Sequence, residues 1–284
     1  MSGSAVPPSR AIFQPLLAAA LAEDLGLAGD VTSEAVVPAS ATLRAEIVAR
    51  TAGRVAGITI GTAVFGMLDD GIGVEVRTAD GEDAPAGSVL ATVSGPARPI
   101  LTGERTALNL IGRLSGIATA TRAAVAAVAG TGARITGTRK TTPGMRALEH
   151  YAIRAGGGAG HRVGLFDAIL VKDNHLDLAG GITAAVAAAR TRAGHLMSIE
   201  VEVETLEQLG EALAAGAKIV MLDNMDSPTL RRAVEMTAGR AVLEASGGIT
   251  PDRLAEVAAT GVDVISLGWL THSAPALDVG LDVS

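Results

Sequence analysis

The sequence contains no cysteine in its 284 residues. That excludes disulfide scaffolds, thiolate zinc sites, iron–sulfur clusters and cysteine nucleophiles together. Aromatic residues are almost as scarce: Phe13, Phe65, Tyr151, Phe166 and Trp269 make up 2% of the chain. Base-stacking platforms for nucleic acid are therefore not expected. A net charge of −7, from 23 basic against 30 acidic side chains, also argues against a nucleic-acid or anionic-membrane partner. Mean hydropathy is high at +0.38, but dispersed alanine and glycine account for it. Every run of 18 residues is broken by a charge or a glycine, so no transmembrane helix is expected. The opening residues show no charged segment followed by an apolar core, so no signal peptide is expected either. The default reading is a soluble cytoplasmic protein.

Lysine is the other scarce residue. Lys140, Lys172 and Lys218 stand against 20 arginines. Coding bias in a GC-rich genome explains the imbalance and the abundant alanine. Where arginine has replaced lysine at most surface sites, a surviving lysine is one whose compact, titratable ammonium is needed.

Length allows one large domain or two ordinary ones. Residues 1–10 read as a flexible tail, and residues 11–115 as an N-terminal α/β domain. Within it, Phe13, Leu16, Leu17, Ala20 and Leu21 recur at helical spacing. Leu43, Ala45 and Ile47 alternate as in a half-buried strand, and Val74–Arg77, Asp80-Gly81 and Val89–Val93 read as strand, turn, strand. A lipoyl or biotinyl carrier hairpin would need a lysine at that turn; none precedes Lys140. Residues 100–128 form a long apolar-periodic helix holding the domain boundary. From residue 134 short apolar runs alternate with helical segments: 134–136, 168–171, 199–203, 219–222, 241–245 and 262–267. Strands buried on both faces look like this, and the alternation predicts βα units. Glu202, Asp223, Ser246 and Gly268 follow one another at 21, 23 and 22 residues, one unit each. Six strands, or seven with one unplaced, favour an open (α/β) barrel over residues 116–275. A flat doubly wound sheet is the second choice.

Polar groups sit where these runs end: Thr138-Arg139-Lys140-Thr141, Lys172-Asp173-Asn174-His175, Glu202, Asp223-Asn224, Ser246-Gly247-Gly248 and Gly268-Trp269. In a barrel the carboxyl ends of the strands make the active-site face. One such group is ordinary turn chemistry; six in series point to a shared mouth. Residues 134–175 carry seven basic against three acidic side chains, a net +4, so the rest of the chain carries −11. Three of the five histidines, His150, His161 and His175, lie in the same window. A polyanionic ligand is the sharper reading, since arginine forks suit carboxylate and phosphate. The two late glycine sites suit a phosphate, with Thr250 placed to cap a helix whose first residue is Pro251. Glu202 and Asp223 are candidate Mg²⁺ ligands. Glu200, Glu202 and Glu204 alternate on one strand face and need basic partners, a metal or solvent; an exposed edge strand is the bland alternative.

These motifs closely resemble those of the quinolinate phosphoribosyltransferases (nicotinate-nucleotide pyrophosphorylases, carboxylating). The resemblance rests on Thr138–Gly144, on Gly156-Gly157-Gly158 with His161-Arg162, and on Lys172–His175, Glu200–Glu204, Leu222–Asn224 and Ser246–Gly248. Glu104–Asn109, Leu114–Thr119 and the opening Glu23–Gly26 and Gly29–Ser33 agree, so it spans nearly the whole chain from residue 11. It implies an N-terminal α/β sandwich, a C-terminal open TIM-like barrel, a C-terminal segment (276–284) returning to the first domain, and a homodimer. It implies phosphoribosyl transfer from phosphoribosyl pyrophosphate to quinolinate with decarboxylation, in de novo NAD biosynthesis, with Mg²⁺. By the same resemblance Arg139, His161, Arg162 and Lys172 hold the quinolinate dianion, and Arg105 reaches it from the partner subunit. Lys140, Glu202 and Asp223 serve the pyrophosphate, ribose and metal. Thr138 belongs to the same binding loop. Ser246, Gly247, Gly248, Leu267, Gly268 and Trp269 frame the 5-phosphate, with His272 near. Lys140, Lys172, Glu202 and Asp223 are the implied catalytic residues. Gly137, His150 and Gly160 depart from residues usual in the family, and tuning rather than loss of activity is expected of them; Trp269 replaces a small residue after Gly268 and is expected to alter the phosphate pocket. Two other readings stay open: a barrel lyase forming a Schiff base through Lys172, and a repurposed relative associated with molybdate transport.

Overall fold

The computed structural model describes residues 5–283. By contact density the chain divides into two compact units, one of residues 1–122, 141–157 and 270–284, the other of residues 123–140 and 158–269. This division departs from a single cut at residue 115. Segment 141–157 groups with the first unit, and the helix Ala97–Ala127 runs through the boundary. Of the tail read over residues 1–10, residues 1–4 lie outside the described residues, and Arg10 already begins a helix ending at Leu25.

The first unit is built on a four-stranded antiparallel sheet. Its spatial order is Val279–Val283, Thr42–Ala49, Val89–Pro96, Gly73–Val76. Strand Thr42–Ala49 forms because Ala45, Ile47 and Ala49 supply a buried face. C-terminal residues Val279–Val283 pair along it, Leu281 opposite Ile47. Phe13, Leu17 and Leu21 on the first helix, Phe65 on helix Ile58–Leu68, and Ile111 and Leu114 on the long helix share the core with Ile47 and Val93. Gly116 permits a close approach: a Cβ there would come within 2.9 Å of Ala276 Cα.

A buried ion pair ties three segments of this unit together. Arg113 on the long helix donates to Glu149 Oε1 at 2.8 Å, to Ala274 O at 3.1 Å, and to Thr271 O. The fully buried Glu149 carboxylate also accepts from Thr142 Oγ1 at 2.8 Å and Thr142 N at 3.1 Å. Removing one partner strands the other charge away from water. Arg113→Ala is therefore expected to cost about 3–5 kcal/mol in urea unfolding, against ~1 kcal/mol for an exposed pair. A loss no larger than the exposed-pair figure would refute that reading.

The second unit holds six parallel strands: β1 (Arg134–Thr136), β2 (Ile169–Val171), β3 (Ile199–Val203), β4 (Ile219–Asp223), β5 (Val242–Ser246) and β6 (Val264–Ser266). The hydrogen-bonded order is β1-β6-β5-β4-β3-β2. Successive strands are neighbours from β2 to β6, and β6 returns to β1. That is a barrel sequence with one unpaired seam, between β1 and β2, and it excludes the doubly wound sheet, whose order reverses at a switch point. No seventh strand joins this sheet among the described residues. Among the described helices none is long and apolar enough to cross a membrane.

Candidate functional site

The carboxyl ends of β1–β5 and the last residue of β6 open onto a cavity of about 500 Å³. Thr138, Arg139, Lys140, His161, Arg162, Lys172, Glu202, Asp223, Ser246, Gly247 and Gly248 line it, as the strand-end reading expects. Leu170, Met221, Asn224 and Ser266 line it as well. Leu267 is buried, its N–H bonded to Thr136 O at 3.0 Å, and neither it nor Gly268 nor Trp269 is part of the lining. Arg105 (exposed, on the long helix) and His272 belong to the other unit.

Local sequence sets each group in place. Lys140 follows a tight turn in which its N–H donates to Thr138 Oγ1 at 3.0 Å. Lys172 precedes helix Asp173–Ala179, and its N–H donates to His175 Nδ1 at 2.9 Å, fixing the start of that helix. Its Nζ forms an ion pair with Glu202 Oε2 across adjacent strands. The carboxylate of Asp167 accepts from Val163 N at 2.7 Å and Gly164 N at 2.9 Å, which shapes the loop carrying His161 and Arg162. Burial opposes the Asp167 charge, yet these backbone bonds outweigh it and lower its pKa.

Strand β3 is interior to the sheet, so the exposed-edge alternative for its glutamates is excluded. Glu200 is buried, Glu202 faces the cavity, and Glu204 lies past the strand end in solvent. Desolvation first, then the Glu244 carboxylate, push Glu200 up to about 7. Arg162 is lowered by burial and by its neighbour Arg139. Two cations forced together at a partly dry wall form a site prepared for a dianion.

The turn after β5 is unusual. Gly247 and Gly248 have φ of +90° and +57°. Asn224, just beyond β4, is also left-handed at φ +55°. Its N–H donates to Ser246 O at 2.9 Å, and its Nδ2 donates to Asp223 Oδ2 at 2.5 Å. A side chain at 247 would collide with Asn224. Asn224 was legible as part of a strand-end motif, but the sequence gives no sign of its strained backbone or its fit against Gly247. The helical turn does begin at Pro251 after Thr250, although the Thr250 side chain makes no capping bond. Trp269 braces this region from outside the cavity, its Nε1 donating to Ile249 O at 3.0 Å. The indole therefore supports the backbone behind the glycines and does not fill the cavity.

Comparison with known proteins agrees with this geometry. Residues 30–115 match the quinolinate phosphoribosyl transferase N-terminal domain, and residues 117–282 match its C-terminal domain. The chain is 48% identical over 262 residues to a probable nicotinate-nucleotide pyrophosphorylase (carboxylating) of Bacillus subtilis, covering 92% of this chain and 90% of that protein. It is 45% identical over 271 residues to the nicotinate-nucleotide pyrophosphorylase (carboxylating) of Mycobacterium leprae, covering 93% and 94%. The solved nicotinate-nucleotide pyrophosphorylase of Francisella tularensis superposes with a TM-score of 0.94 at 37% identity over 99% of both chains.

Proposed function

This chain belongs to the quinolinate phosphoribosyl transferase family, and we propose that the strand-end cavity of its barrel carries out the family's reaction with the residues named above. The protein transfers a phosphoribosyl group from phosphoribosyl pyrophosphate to quinolinate and releases pyrophosphate and CO₂, giving nicotinate mononucleotide for NAD biosynthesis. The observation that carries the assignment to this cavity is its composition: Arg139, His161, Arg162 and Lys172 face Glu202 and Asp223 across one cavity.

Arg139, Arg162, Lys172 and His161 hold the two carboxylates and orient the ring. The pyridine nitrogen is itself the nucleophile and needs no base. It bonds to C1 of the ribose as the C1–pyrophosphate bond breaks, through an oxocarbenium-like transition state. Lys140 faces the charge that develops on the leaving group, where a prepared cation is most effective. Ser246, Gly247 and Gly248 present backbone N–H groups to the 5-phosphate. Transfer leaves the ring nitrogen cationic. The electron pair of the broken C2–carboxylate bond stays on C2, stabilised by the adjacent cationic nitrogen as CO₂ leaves, and C2 then takes a proton from solvent, leaving the pyridinium product. The chain's part is position and electrostatics.

The oxygen-only donors Glu202 and Asp223 suit a hard divalent ion, and both face the cavity. Mg²⁺ held there would neutralise charge on the pyrophosphate. A homodimer in the cytoplasm, with Arg105 supplied across its interface, completes the reading. A Schiff-base role for Lys172 is disfavoured: its Nζ is paired with Glu202, whereas an imine-forming lysine must be a free, uncharged amine.

Turnover is expected to require quinolinate, phosphoribosyl pyrophosphate and a divalent cation together, and excess EDTA should stop it. Full activity in EDTA would remove the metal role. Nicotinate, with one carboxylate, should be a poor substitute; equal use of it would sink the dianion site. Arg139→Lys should raise KM for quinolinate roughly 10-fold or more, since a planar fork becomes a point charge and a charged hydrogen bond is worth ~1.5–3 kcal/mol. Lys140→Ala should instead affect phosphoribosyl pyrophosphate or turnover. Damage by both to the same substrate alone would show one assignment to be wrong.

A further inference from the structure

A second cavity, of about 420 Å³, lies toward the amino ends of the same strands. Arg134, Ile169, Ser198, Ile219, Val242 and Val264 rim it. Among the described residues only His161 and Arg162 line both cavities, so these two residues form the wall between them. Behind that wall stand Glu200 of β3 and Glu244 of β5. They are 9% and 5% exposed, and the Oε1 atom of each makes no hydrogen bond. Buried carboxylates left so poorly bonded are expensive. The reaction as described above uses neither of them.

We propose that Glu244 is a positioning residue for the diacid pocket, acting from the far side of the wall through His161. The proposal rests on the functional reading above. His161 Nε2 lies 3.6 Å from Glu244 Oε1, and Nδ1 lies 3.5 Å from the carbonyl oxygen of Arg162. A carboxylate and a carbonyl can only accept. With an acceptor oxygen facing each nitrogen, at 3.6 and 3.5 Å, the arrangement favours the doubly protonated, cationic ring over either neutral tautomer. Glu244 thus fixes the plane of the ring and its charge, and the ring sets that charge into the wall of the diacid site. The charged groups around this arrangement come from several elements, Arg134 at the start of β1 among them. Glu200 and Glu202 face it from β3, and Glu244 from β5. Arg162 and Asp167 face it from the loop, and Arg139 from the end of β1. Burial alone would drive the proton off His161; Glu244, with Glu200 and the Arg162 carbonyl, overcomes it and raises the pKa of the ring above the ordinary histidine value. The same three side chains could be taken for a metal site, since their ligand atoms lie within 4.8 Å of one another. The ring and Arg162 already stand opposite Glu200 and Glu244, so the chain supplies these side chains with cationic partners of its own.

The test has an arm that needs no substrate. In ¹⁵N-histidine NMR of the ligand-free enzyme, His161 should show both nitrogens protonated at neutral pH, and Glu244→Gln should weaken its proton affinity roughly tenfold or more. In kinetics, Glu244→Gln should raise KM for quinolinate roughly tenfold at pH 8, where the variant's ring is neutral, and far less at pH 6, where it regains its proton. KM for phosphoribosyl pyrophosphate should move less than about twofold. In a His161→Gln background the same change should add less than about twofold, because the two residues act as one unit. Glu244→Asp, which keeps the charge, should restore most of the pH 8 affinity, and it stands in if the glutamine variant does not fold. A neutral His161 in the wild type, an unshifted titration in Glu244→Gln, or full additivity with His161→Gln would each overturn the proposal. If quinolinate itself were not turned over, the NMR result would still stand, so failure of the functional reading and failure of this inference are distinguishable.

Discussion

A Gly247→Ala variant is expected to fold yet lose roughly 10²–10⁴-fold in kcat/KM for phosphoribosyl pyrophosphate. The φ of +90° at this position is one that L side chains rarely adopt. A Cβ would also fall within 2.8 Å of the Asn224 backbone nitrogen, which cannot swing away as a flexible side chain would. Either residue 247 changes conformation or Asn224, already left-handed and bonded to Ser246 O, is pushed. Both routes turn the N–H groups of the β5 turn away from the 5-phosphate and shift Asp223, which Asn224 Nδ2 holds at 2.5 Å. Backbone strain of ~1–3 kcal/mol plus one lost charge-assisted hydrogen bond of ~1.5–3 kcal/mol gives the stated range. Gly247 and Gly248 contribute no side chain to the core, so the loss of thermal stability should be confined to the backbone strain and stay smaller than the loss of activity. KM for quinolinate measured at saturating phosphoribosyl pyrophosphate separates a local effect from a collapsed site. Retention of kcat/KM within about threefold would mean that the turn is not where the phosphate binds.

The barrel was readable from the sequence because its strands are buried on both faces. Ile199–Val203, Ile219–Asp223 and Val242–Ser246 stand out as short apolar runs at βα spacing, with their polar residues at one end. The mouth-lining set from Thr138 to Gly248 was readable for the same reason: strand ends converge in a barrel whatever the loops do. Other features carried no such signal. Glu244 is one polar residue in the middle of a strand, and only the placement of His161 from a distant loop gives it meaning. Asn224 looks like ordinary turn chemistry until its φ is known. Segment 141–157 lies after β1, within the span 116–275 assigned to the barrel, yet Glu149 within it closes onto Arg113 and the segment groups with the first unit. Contacts between residues far apart in the chain made these differences, and periodicity is blind to them.

Mixing two inactive variants should restore activity. Arg105→Ala and Glu202→Ala homodimers are each expected to be nearly inactive, the first for want of a cation on the diacid, the second for want of a carboxylate beside Lys172. Arg105 projects from an exposed position on the long helix of the first unit, whereas Arg139, Arg162, Lys172 and Glu202 all lie in the second. If Arg105 serves the partner's site, a two-fold dimer holds two composite sites. In a heterodimer of the two variants, the chain with intact Glu202 receives an intact Arg105 from its partner, and the other site collects both defects. Random assortment makes half of all dimers mixed, each with one working site of two, so activity should return to about a quarter of wild type. Co-expression with two different affinity tags, followed by tandem purification, isolates the mixed dimer, for which the expected value is about one half. The quinolinate KM of that surviving site should match wild type, since nothing in it is altered. Mixed dimers that form but remain inactive would place Arg105 in the site of its own chain, and a quinolinate KM that stays raised in the restored site would show that the two sites do not work independently.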